Sequence, residues 1–69
     1  MSATRDPRVD PWPGDVVRAA SGMVRTVTFV DRSEQPRVKF DAYRMGVQSK
    51  RSESLQRWRT WCARNATHW

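Results

Sequence analysis

Three β-rich segments follow one another in this chain with only short turns between them: VVRA from Val16, MVRTVTFV from Met23 and RVKFDAY from Arg37. Parallel neighbours need a crossover of a dozen or more residues, so strands spaced this closely can pair only antiparallel. Pro13-Gly14-Asp15 and Ser21-Gly22 read as turns, and DRSEQP, ending in Pro36, reads as a hairpin loop. The middle segment is the richest in β-branched and aromatic residues. The third alternates cleanly, with Val38, Phe40 and Ala42 on one face and Arg37, Lys39, Asp41 and Tyr43 on the other. Met45 and Val47 around Gly46 allow one more short strand, which places the strands at about residues 15–48.

From Ser52 the period becomes helical. Ser52 is the expected N-cap, and Glu53 falls where the macrodipole favours an acid. Over residues 52–66, Leu55, Trp58, Cys62 and Ala66, with Trp69 beyond, fall on one face, while Gln56, Thr60 and Arg64 point away. The expected fold is mainly β with one C-terminal helix: a small, strongly bent antiparallel barrel whose open end the helix caps. Residues 13–69 form that domain. Residues 1–12, with Pro7, Pro11 and alternating charges, are expected as an extended or disordered arm in which Trp12 docks back.

A chain of 69 residues buries only ~60% of the surface its unfolded form exposes, so each large apolar side chain counts. With one cysteine there is no intramolecular disulfide, and Cys62 reads as a small buried hydrophobe. No apolar leader and no window near ~18 apolar residues is present, so a cytoplasmic location and no membrane partner are expected.

The net charge of +6 is uneven. Residues 1–41 carry seven basic and six acidic groups, whereas residues 42–69 carry six basic groups against Glu53 alone. A positive field concentrated in the last third favours a polyanion or an acidic protein surface as partner. Eleven of the thirteen basic residues are Arg, whose fork suits phosphate and carboxylate.

The segment PGDVVRAASGMVRTVTFVD followed by VKF resembles the SH3-like small barrels. It is most similar to the group that begins Gly-Asp-x-Val and includes KOW, Tudor and short prophage or mobile-element proteins. The resemblance rests on Gly14, Asp15, Val17, Ser21, Gly22, Val27, Val30, Asp31, Val38 and Phe40. It implies an SH3-like barrel, a fold that hosts unrelated activities. The further glycine of a KOW second strand is missing from MVRTVTFV, and no Tudor-type aromatic cage is visible. One enzyme uses a similar barrel, the plasmid-borne dihydrofolate reductase with its Val-Gln-Ile-Tyr stretch. Here Val47-Gln48 is followed by Ser49-Lys50.

Nothing in the chain reads as a catalytic set. His68 lies where fraying is expected, the acids are scattered singly, and no phosphate-cradling Gly loop or metal spacing occurs. No enzyme activity, metal or cofactor is expected. The candidate binding residues are Lys50, Arg51, Arg57, Arg59, Trp61 and Arg64. Trp58 falls with the apolar stripe, but Trp61 is offset by about 60° and flanked by Arg57 and Arg64. A tryptophan so placed can stack on a base, anchor a protein contact, or close the core edge in an Arg–Trp cluster. The expected function is therefore a binding module for DNA or RNA. The alternative is a small phage- or prophage-encoded modulator or inhibitor docking on an acidic surface of a host or immunity protein. An exposed edge strand also allows a homodimer.

Overall fold

A computed structural model describes residues 5–68, the side chains of residues 67 and 68 excepted. Four strands, β1 (Val16–Ala19), β2 (Val24–Asp31), β3 (Arg37–Arg44) and β4 (Val47–Ser54), lead into α1 (Leu55–Asn65) and a short β5 (Ala66–His68). Every pairing is antiparallel, in the order β4-β3-β2-β1-β5. The fold is thus mostly β with one C-terminal helix. Among the described residues, the edge strands β4 and β5 do not pair with each other, so the sheet stays open.

β4 is longer than its sequence suggests. VQSKRSES has little β-propensity, yet it pairs along its whole length with β3, from Arg44↔Val47 to Arg37↔Ser54. The connection is a two-residue turn in which Met45 (φ 52°) and Gly46 (φ 81°) both take positive φ, the geometry that matches strand twist. Once that turn sets the register, β3 templates the edge strand. The helix consequently starts later than residue 52. Ser54, not Ser52, is the N-cap, and its Oγ accepts from the Arg57 amide at 3.2 Å. Ser52 and Glu53 belong to β4. The helix ends at Asn65, where β5 turns back along β1 with Arg18 opposite His68. His68, expected in a frayed end, is therefore held at the backbone by strand pairing.

Residues directly opposite one another share a face of the sheet, which sorts the side chains. The inner face carries Val17, Val27, Val38, Phe40 and Ala42, and α1 covers it with Trp58 and Cys62. The Trp58 and Phe40 rings meet edge-on, with centroids 5.2 Å apart and planes at 61°. A bulge at Thr28, between Val27 and Phe29, lets Val30 return to the side of Val38. Leu55 and Trp61 are half-buried at the rim of this core. Leu55, Trp58 and Cys62 therefore lie where their helical spacing put them, whereas Ala66, expected on the same helix, is its extended C-cap and opens β5; Trp69 is outside the described residues.

The described part of the expected arm, residues 5–12, contains a turn at 7–9 and two buried prolines, Pro7 and Pro11. The Trp58 indole Nε1 donates to the Pro7 carbonyl at 3.0 Å, and Arg59 Nε donates to the Val9 carbonyl at 2.8 Å. Arg5 pairs with Asp15, and Arg32 donates to the Pro11 carbonyl at 3.0 Å. Proline suits this position because its rigid ring can be buried with no N–H to satisfy. Trp12, the expected docking residue, is 51% exposed and is flanked by the guanidinium groups of Arg5 and Arg32.

Candidate functional site

Arg25 organises the basic end of the molecule. It stands opposite Ala42 on the inner face and is only 6% exposed. Its guanidinium carbon lies 3.7 Å from the Trp61 ring centroid, 4.4 Å from Phe40 and 5.7 Å from Trp58. Nη1 donates to Glu53 Oε1 at 2.6 Å, while the buried Nε finds no partner among the described residues. Burial pulls its pKa below the ordinary arginine value, and the Glu53 carboxylate opposes that shift. A lone buried cation is costly, so the aromatic walls and Glu53 jointly compensate it.

Glu53 is spent in the process. It is the acid nearest the helix in sequence, and its carboxylate faces Arg25 rather than the arginines of α1. Glu53, Arg57, Thr60, Trp61, Arg64 and Asn65 line one groove between the end of β4 and α1. Among the described residues, Arg57 and Arg64 enter no salt bridge. Trp61 is half-buried, held against Arg25 and bordering the groove.

The six expected binding residues do not form one cluster. Arg57, Trp61 and Arg64 share the groove. Arg59 lies on another side of the helix, beside Asp6, Arg8, Val9 and Ala63, where its Nε holds the Val9 carbonyl. Two residues turn a helix by about 200°, so Arg57 and Arg59 cannot share a face. Lys50 and Arg51 lie on β4 and project to opposite faces: Lys50 stands opposite Asp41 on the outer face, Arg51 opposite Phe40 on the inner one. Arg51 is exposed, its Nε donates to Ser49 Oγ at 3.3 Å, and its charge adds to the pressure on Arg25.

Cys62 is fully buried, and burial pushes its thiol up to about 11, against the pull of Arg25 and Arg8. Such a thiol is a packing group at neutral pH. Among the described residues, no group of three His, Cys, Asp or Glu side chains converges as a metal site would need. No described helix is long and apolar enough to cross a membrane.

Arg25 is the member of this site that the sequence reading missed. Its signal was present: it shares strand parity with Val27, which places a cation on the face that must be covered. No protein-family model, curated protein or solved structure matches the chain.

Proposed function

We propose that this chain is a non-enzymatic nucleic-acid-binding module, built on an SH3-like barrel left open between β4 and β5, that holds phosphates in the groove between β4 and α1. The barrel reading is supported by the meander of four antiparallel strands and by the return of β5 to β1 after the helix. The observation that carries the functional reading is charge pairing. The acid in the groove, Glu53, is bonded to Arg25, while Arg57 and Arg64 flank Trp61 with no salt bridge among the described residues. Two forked cations around an amphipathic ring fit a phosphate backbone with an adjoining base. Arg51 and Lys50 extend the positive surface along the edge strand.

Affinity for a single-stranded oligonucleotide, followed by fluorescence anisotropy against salt, tests this. Binding that weakens steeply with salt supports the reading, as does a log–log slope flatter by roughly 0.7 for each phosphate that Arg57→Glu or Arg64→Glu leaves unneutralised. Absence of binding at low salt overturns it. An acidic protein surface then becomes the partner to seek.

A further inference from the structure

We propose that the outer face of the sheet is a stacking platform for unpaired bases, so that the nucleic acid bound is single-stranded and runs from this face over β4 toward the α1 groove. The inference rests on the proposed function above and names its substrate class.

The helix covers only the inner face. On the outer face, Phe29 stands opposite Lys39 and Tyr43 opposite Val24. Phe29 is 53% exposed and Tyr43 46% exposed, although both belong to strands in the interior of the sheet. Aromatic rings left in water on central strands add nothing to the core, whose aromatic residues on the sheet lie on the opposite side, at Phe40. Lys39 Nζ sits 5.7 Å from the Phe29 ring centroid, and Arg37, Lys39 and Lys50 share this face with Asp31 and Asp41. A hollow along β3 and β4 is bordered by residues 39–41 and 50–52, with Thr28 of β2.

This chemistry selects the ligand. The core of a protein–protein interface is depleted in charge, but here Lys39 stands beside Phe29, and Lys50, opposite Asp41 on β4, lies at a register between the two rings, cations that a phosphate backbone between stacked bases would use. Phe29 and Tyr43 are four residues apart in register along β3, from Lys39 to Tyr43, or roughly 13 Å. Bases stacked in a duplex lie only ~3.4 Å apart and hide their faces from one another. Two rings so far apart can engage only bases splayed out of a stack, which a single strand supplies. On β4, Lys50 on the outer face adjoins Arg51 on the inner face, which carries positive charge across the edge strand from one side of the sheet to the other.

The test measures binding of the full chain to an oligonucleotide of about fifteen nucleotides, single-stranded or as a duplex, at fixed low salt. The variants are Phe29→Ala and Tyr43→Ala, with Met45→Ala (88% exposed in the native chain) as a surface control. Circular dichroism confirms that each is folded. The single strand is expected to bind more tightly than the duplex, and each aromatic variant to lose about five- to a hundredfold for the single strand only. Unchanged single-strand affinity in the Phe29→Ala/Tyr43→Ala double variant, with weakened binding in Arg57→Glu/Arg64→Glu, overturns the platform and leaves the groove reading standing. A preference for duplex does the same. A chain that binds neither form overturns both.

Discussion

The guanidinium of Arg25 lies over the Trp61 ring, its central carbon 3.7 Å from the ring centroid, while Nη1 donates to Glu53 Oε1 at 2.6 Å. This arrangement gives Trp61 two roles. It shields a buried cation from water on the core side, and it borders the groove between Arg57 and Arg64. Of the three roles open to a tryptophan placed among arginines, the cation–π cluster is present, but its cation comes from β2 rather than from the neighbouring helix arginines.

Arg25 and Trp61 are therefore expected to be energetically coupled. A double-mutant cycle with Arg25→Met and Trp61→Leu, followed by denaturant unfolding, should return a coupling of about 0.5–2 kcal/mol. Trp61→Leu alone should destabilise the chain, since it uncovers a charge that lacks full hydrogen bonding. Strict additivity would mean that the contact is incidental.

Trp58 holds the fold. It is fully buried, packs against Phe40 and donates its indole hydrogen to the Pro7 carbonyl. Trp58→Ala should cost ~3–5 kcal/mol, which is enough to unfold so small a domain. The far-UV spectrum and a urea titration read the result, and a cooperatively folding variant would place the core elsewhere.

Removing residues 1–11 should lower stability by about 1–3 kcal/mol, because the buried Trp58 Nε1 loses its acceptor. The same segment should loosen in acid. The Arg5 side chain, bonded to Asp15, holds that carboxyl below its ordinary 3.8. The pair therefore contributes above pH 3.8 and is lost as the pH falls through the lowered value. Asp15→Asn should remove this acid dependence while leaving the Trp58–Pro7 bond in place.

Cys62 sets an alkaline limit. Its thiol is raised from 9.0 to about 11 by burial, so folded and unfolded chains both carry a neutral thiol below pH 9.0. Between those values the unfolded chain ionises first, and stability should fall with rising pH by roughly 2–3 kcal/mol. Cys62→Ala should be less stable at neutral pH but flat across the same window. Thiol reagents should react with the native protein only at the rate of unfolding.

Strand spacing and helical periodicity made the elements legible, and with them the inward placement of Val38, Phe40, Trp58 and Cys62. What escaped was non-local. The length of β4 depends on pairing with β3 and on the Met45-Gly46 turn, not on the propensity of VQSKRSES. The helix begins later than expected because Ser52 is claimed by the ladder opposite Lys39, leaving Ser54 free to cap. Counting basic residues along the tail placed Arg59 with Arg57 and Arg64, although Arg59 bonds the Val9 carbonyl beside another surface. Arg25 was visible only to an accounting of strand parity that asked where its charge would go.

The most direct test of the groove is an NMR titration of the full labelled chain with a single-stranded oligonucleotide of about fifteen nucleotides. The Trp61 indole N–H and the amides of Arg57 and Arg64 are predicted to shift together and saturate at one affinity, while the buried Trp58 indole and the amide of Arg59 hold still. Resonances of Arg57, Trp61 and Arg64 that stay in place while the oligonucleotide binds, or the largest shifts falling at Arg59 and Val9, would contradict the assignment of the groove as the binding site.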